Sequence, residues 1–198
     1  MMKRSRIYEM TLIALFTTLT IIGTQITIPL AFIPITMQTM FVLCSGMLLG
    51  SVKGMLSQLL YLALGLIGFP IFAGGKGGPQ MILAVSFGYL IGFVVAPLAV
   101  GAVLRVLKKV NVFTVFLAGL AGTLVIDFFG ITYILTLFNA FSAKPIPVPN
   151  VFAAILLPTI PGDLLKVAIL ALTVPYLYRV LSRQNLLPVK VANLSGNK

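Results

Sequence analysis

The 198-residue sequence has no histidine, a single cysteine and only three acidic residues. Charged residues make up 9% of it, against roughly 25% in an average soluble domain. Without histidine there is no His-based catalytic triad, and with Cys44 alone there is neither a disulfide nor a His/Cys metal site. The three acids are Glu9, Asp127 and Asp163, too few for the carboxylate clusters of a multi-metal enzyme. Cys44 lies in an apolar run and reads as a small packing residue.

What is present is apolar surface. Hydrophobic residues make up 60% of the chain and the mean hydropathy is +1.14, spread from end to end, which excludes a soluble domain on one anchoring helix. In lipid every backbone amide must be satisfied internally, so the choice lies between helical bundles and closed barrels. The long unbroken runs lack a barrel's alternation. The expected class is all-α and polytopic.

Gly, Pro and charge divide the chain into six expected spans. No charge occurs from Met10 to Val52, and a turn region from Pro29 to Thr39 splits that stretch into two helices. A third runs from Gly54 to Phe69 and closes at Pro70 and the cluster Gly74-Gly75-Lys76-Gly77-Gly78-Pro79, a loop signal. A fourth runs from Met81 to Leu104, a fifth from Val112 to about Asn139, and a sixth from near Gly162 to Tyr178. Between the last two lie prolines 145, 147, 149, 158 and 161. Residues 1–183 form one transmembrane substrate-binding domain in this reading, and residues 184–198 a polar, mobile tail.

Six crossings place Lys3, Arg4, Arg6, Lys53, Arg105, Lys108, Lys109, Arg179, Arg183, Lys190 and Lys198 on one side, and Lys76 and Lys144 on the other. By the positive-inside rule both termini are expected in the cytoplasm. The net charge of +11 therefore reads as membrane topology, with lipid and not nucleic acid as the surrounding partner. The first helix is expected to be retained, because its apolar stretch is too long for a signal peptide and lacks a small-residue cleavage site.

Three ionisable groups fall within expected spans: Asp127, Asp163 and Lys166. Each costs about 2.5–3.5 kcal/mol at the centre of a bilayer, so such groups face a bundle interior and mark functional sites by default. At 1.5 Å per residue, Asp127 and Asp163 lie roughly 24 Å from their cytoplasmic boundaries and Lys166 roughly 20 Å, all in the outer half. Asp163 and Lys166 are spaced i, i+3 on one helical face. A self-neutralising structural pair is the plain reading. Against it, two residues alone leave most lone pairs and ammonium protons unsatisfied, which a polar ligand would fill. Asp163 also stands where a first helical turn after Pro161 and Gly162 would favour an anion. Asp127 is left open between a structural and a functional role.

On the same outer side, the glycine loop presents backbone N–H groups, with Gly75 and Gly78 as candidates, to an anionic or amide-bearing ligand. Thr36, Gln38, Tyr89, Tyr133 and Asn139 are further polar handles. On the first helix, Ala14 and Thr18 form a small-xxx-small pair that would let another helix approach closely. There is no phosphate-binding loop: after Gly75-Lys76 comes Gly77 in place of Ser or Thr.

Six spans in about 190 residues, the loop Gly74 to Gly78, the segment Gly88-Tyr89-Leu90-Ile91-Gly92-Phe93 and the run Pro161-Gly162-Asp163-Leu164-Leu165-Lys166 together resemble the BioY family, the biotin-specific S component of energy-coupling factor (ECF) transporters. Family members usually carry Gly-Pro-Thr-Gly-Gly-Tyr where this chain has Ala84 to Tyr89. The resemblance implies a subunit in a bacterial plasma membrane that captures biotin from outside, has no cofactor or catalytic residue of its own, and joins a transmembrane coupling protein and two cytosolic ATPases. It implies that the first-helix motif, here Ala14 and Thr18, meets the coupling protein. Biotin's ureido ring has two N–H donors and one carbonyl, which suits Asp163 as acceptor and Lys166 as donor, with Phe72 and Tyr89 as apolar walls. The reverse orientation, with Lys166 on the valeryl carboxylate, is left open. The competing readings are an S component for another vitamin such as thiamine or riboflavin, a stand-alone proton-coupled secondary transporter using Asp127 or Asp163, and an integral membrane enzyme.

Overall fold

The computed structural model describes residues 6–28, 35–141, 157–184 and 186–188. Prolines 29 and 34, the Ser142–Asn150 segment, residues 189–198 and the basic residues Lys3, Arg4, Lys144, Lys190 and Lys198 lie outside the described residues. Among the described residues six α-helices carry the fold: α1 Arg6–Gln25, α2 Gln38–Leu49, α3 Ser51–Ile67, α4 Phe87–Leu107, α5 Val112–Phe141 and α6 Leu157–Arg183. Between α1 and α2 a short hairpin pairs β1 (Thr27–Ile28) with β2 (Ile35–Thr36), Thr27 opposite Thr36 and Ile28 opposite Ile35.

Among the described residues four helices, α1, α4, α5 and α6, are long and apolar enough to cross a membrane, and α2 and α3 are shorter apolar helices. The break between those two falls at Gly50, whose φ of 81° only glycine adopts without strain. At 12 residues α2 is about 18 Å long. It packs against α1, α3, α4, α5 and α6, so it stands at the centre of the bundle. From that central position Val42, Leu43 and Met47 are fully buried.

Small residues set how closely the other helices approach α2. A Cβ on Gly46 or on Gly54 would stand 2.9 Å from Pro97, so the proline that interrupts the α4 hydrogen-bond ladder is seated in a groove of glycines from α2 and α3. Between α1 and α3 the contact is polar. Thr17 donates to the Ser57 carbonyl (2.8 Å), and Gln58 Nε2 donates to Thr20 Oγ1 (3.2 Å) and Ser57 Oγ (3.1 Å). All four side chains are buried, and in an apolar medium satisfied hydroxyls and amides hold helices together. Nearer the helix start, Lys53 on α3 pairs with Glu9 on α1 at 2.5 Å.

The start of α4 departs from the sequence expectation. An apolar run from Met81 predicts helix, but Pro79–Leu83 forms a 3-10 turn, Ala84 is extended with ψ 141°, and α4 begins only at Phe87. Apolar composition does not separate a helix from a cavity wall, and Met81 and Leu83 to Ser86 form such a wall. In α6 the chain is already helical at Leu157, so Asp163 lies in the second turn or deeper. The expected capping rationale at that carboxylate is therefore withdrawn, since the dipole effect fades beyond the first turn. After Arg183 the chain stays against the bundle: Tyr8 Oη donates to the Leu186 carbonyl (2.5 Å), and Leu187 is buried in the core. Leu186 and Leu187, which the sequence reading places in a mobile tail, are therefore held against the helices.

Candidate functional site

A cavity of about 440 Å³ opens between the hairpin, the glycine loop, and helices α2, α4, α5 and α6. That volume falls within the range of small-molecule sites. The elements around it are placed by the packing just described. The central α2 delivers Gln38 and Thr39 from its first turn. The loop delivers Phe72 and Lys76, and α4 delivers Tyr89, Leu90 and Phe93. From α5 come Thr123, Ile126 and Asp127, and from α6 Thr159, Asp163 and Lys166. Ile35 of β2 packs 3.5 Å from where a Gly162 Cβ would be, which sets the hairpin directly over the turn of α6 that carries Asp163.

The Asp163–Lys166 pair closes within α6, with Lys166 Nζ donating to Asp163 Oδ1 at 2.8 Å. Their side chains are 15% and 7% exposed, so this is a buried pair. Among the described residues it makes no other hydrogen bond. Two ammonium donors and the second carboxylate oxygen thus keep unused capacity beside a cavity. Asp127 faces the same space and is in electrostatic reach of both partners.

Tyr89 brings a second unfilled group. Its ring lies over Gly130, where any Cβ would overlap it, and its buried Oη has no hydrogen-bond partner among the described residues. An unmade bond in such a place costs about 1–3 kcal/mol, which a ligand acceptor or donor would recover. Gln38 is half-filled: its Nε2 donates to Tyr61 Oη (2.6 Å) and its Oε1 accepts from Thr36 Oγ1 (3.0 Å), which leaves one N–H and one lone pair. Phe72 is 2% exposed and packs into the notch at Gly65 with one face on the cavity.

The structure thus brings Gln38, Phe72, Tyr89, Asp127, Asp163 and Lys166 to one cavity. Gly75 and Gly78 do not line it. Gly75 N–H bonds the Phe72 carbonyl (3.0 Å) and Gly78 N–H the Gly65 carbonyl (2.7 Å), so the expected ligand-facing amides there are taken up in shaping the loop. Both glycines have positive φ, 68° and 98°, which is why the loop needs them. Tyr133 also has a structural partner, donating its hydroxyl to the Ile82 carbonyl, and Asn139 is exposed on α5 away from the cavity. Ala14 and Thr18 are exposed on the outer face of α1, and Thr18 Oγ1 is satisfied by the Ala14 carbonyl (3.0 Å). The cavity adds Lys76, Thr39, Ser86, Thr123 and Thr159. Small hydroxyl residues recur along the whole chain and carry no signal of their own. Lys76 was visible as an outer-side charge in the glycine loop.

The family model for the BioY family matches residues 1–183. The chain belongs to the BioY family. It is 33% identical over 180 residues to the probable biotin transporter BioY of Lysinibacillus sphaericus, covering 91% of each chain. It is 38% identical over 171 residues to the biotin transporter BioY of Rhodobacter capsulatus, covering 83% of this chain and 90% of that one. Among solved structures, the S-component for biotin from an ECF-type ABC transporter, a crystal structure at 2.1 Å, superimposes with a TM-score of 0.79 at 30% identity, covering 89% of this chain and 95% of that one. Family membership and the shared fold extend over the bundle that carries the cavity, so the BioY scaffold and the candidate site coincide.

Proposed function

We propose that this chain is a biotin-binding membrane subunit of an ECF transporter, with six crossings and both termini in the cytoplasm of a bacterial cell. The observation that carries the reading is the buried Asp163–Lys166 pair with unused bonding capacity on a cavity walled by Phe72, Tyr89, Leu90 and Phe93. A ureido ring carries donors and an acceptor on one edge and suits that pair. A thioether bicycle suits the apolar walls. Energy for uptake comes from a coupling protein and ATPases, in keeping with relatives described as transporters and an S-component.

Purified protein is expected to bind biotin in the nanomolar range, which requires about 12 kcal/mol. Isothermal calorimetry checks this, with thiamine and riboflavin as comparison ligands. Binding weaker than tens of micromolar, or tighter binding of another vitamin, removes the biotin assignment.

The placement of the two lysines supports one orientation. Lys166 is already paired with Asp163 at 2.8 Å, so a ligand carboxylate at the α6 end would have to compete with that carboxylate. Lys76 is the exposed cation on the cavity lining. We therefore place the ureido ring on Asp163 and Lys166, and the valeryl carboxylate toward Lys76. Lys76→Gln is expected to weaken biotin by roughly fivefold, the worth of an exposed ion pair, while leaving neutral biotinamide within twofold. An unchanged preference for biotin over biotinamide would instead support the reverse orientation.

A further inference from the structure

Gln38 presents both a donor and an acceptor to the cavity, and which one points where depends on a residue outside it. Tyr61, on α3, is 1% exposed and does not line the cavity. Its hydroxyl donates to the Ile71 carbonyl (3.3 Å), accepts from Gln38 Nε2 (2.6 Å) and lies 3.3 Å from Thr24 Oγ1. Thr24 Oγ1 in turn donates to the Thr20 carbonyl at 3.0 Å, which ties the tyrosine back to α1. A carbonyl can only accept, so with the phenol proton directed at Ile71 the phenol oxygen is left as an acceptor. The side of the Gln38 amide that meets it must then be the NH2. The amide oxygen is thereby turned toward Thr36, whose hydroxyl donates to it at 3.0 Å. In the opposite rotamer of the amide, two oxygens would compete for one phenol proton, and the Ile71 carbonyl would lose its donor.

The same side chain also sets the aromatic wall. The Tyr61 and Phe72 rings meet edge to face, with centroids 5.4 Å apart at 80°, and Ile71 directly precedes Phe72. We propose that Tyr61 is a positioning residue of the binding site, fixing through its hydroxyl which end of the Gln38 amide faces the ligand and so which hydrogen bonds the pocket offers. This deepens the biotin reading and rests on it for the identity of the ligand.

Tyr61→Phe keeps the ring on Phe72 and removes only the hydroxyl. Biotin affinity is expected to fall about tenfold, the scale of one hydrogen bond. Gln38→Ala falls by a similar factor. Because Tyr61 acts through Gln38, the double variant is expected to lose about tenfold and not a hundredfold. Affinity within twofold of the parent in Tyr61→Phe, or losses that multiply, would overturn the inference, since a purely structural hydroxyl would add its effect to that of Gln38. A second readout needs no ligand. In protein carrying 15N in its glutamine side chains, the NH2 resonance pair absent from Gln38→Ala is expected to shift in Tyr61→Phe, and an unmoved pair overturns the inference. If the parent protein fails to bind biotin, the proposed function falls, and the resonance pair alone decides the role of Tyr61.

Discussion

Replacing Asp163 with Asn is expected to lower biotin affinity at least a hundredfold. The substitution keeps the shape of the side chain but removes the anion, and Lys166, 7% exposed, is left facing a cavity without its ion-pair partner. Breaking a buried pair by removing one partner costs about 3–5 kcal/mol, and a hundredfold in affinity is about 2.7 kcal/mol of it. The remainder appears as a lower melting temperature. Binding and stability are separated by a second variant, Asp163→Asn with Lys166→Met, which contains no unpaired charge on α6. It is expected to recover stability without recovering biotin binding. Normal affinity in either variant, measured by calorimetry on monodisperse protein, removes the pair from the site and leaves it as a structural bridge.

Bulk on the outer face of α1 is expected to separate binding from uptake. Ala14 and Thr18 are exposed, whereas the residues with which α1 holds the bundle, Phe16, Thr17, Thr20 and Thr24, are on its other face. With the Thr18 hydroxyl turned back onto the Ala14 carbonyl, the outer face at these two positions offers only methyl-sized groups to a neighbour, a notch that permits close helix approach. Ala14→Trp together with Thr18→Trp should therefore leave biotin affinity within twofold, because neither residue lines the cavity. ATP-driven uptake by vesicles containing the coupling protein and ATPases should fall at least tenfold, about 1.4 kcal/mol or more of lost association. Unchanged uptake would take this face out of the subunit contact. It would also favour a carrier that works alone, for which the same face meets only lipid.

The Asp163–Lys166 pair was legible because a bilayer makes ionisable residues rare and the i, i+3 spacing makes them neighbours without any knowledge of the tertiary fold. Asp127 was legible for the first reason alone; that it shares a cavity with the other two depends on how α5 lies against α6. The glycine loop was correctly read as a loop, but not which of its residues faces the ligand space. Positive φ at Gly75 and Gly78 turns their amides onto Phe72 and Gly65, and Lys76 is left at the cavity instead. The start of α4 was misread because hydropathy is the same for a span and for the wall of an apolar pocket.

Composition and periodicity alone determined that the chain is helical and lives in a membrane, since 9% charge and long apolar runs admit no aqueous core, and lipid admits no unpaired backbone. Composition also fixes that the chain has no histidine, one cysteine and three acidic residues. Only the tertiary structure decided that the 12-residue α2 is the central helix, that a cavity forms where the hairpin, the glycine loop and four helices meet, and that Tyr61, outside it, hydrogen-bonds Gln38. The physical reason is that local rules act over one or two turns of helix. A cavity is a property of how several helices approach one another, and that is set by contacts such as Gly46 and Gly54 against Pro97, between residues far apart along the chain.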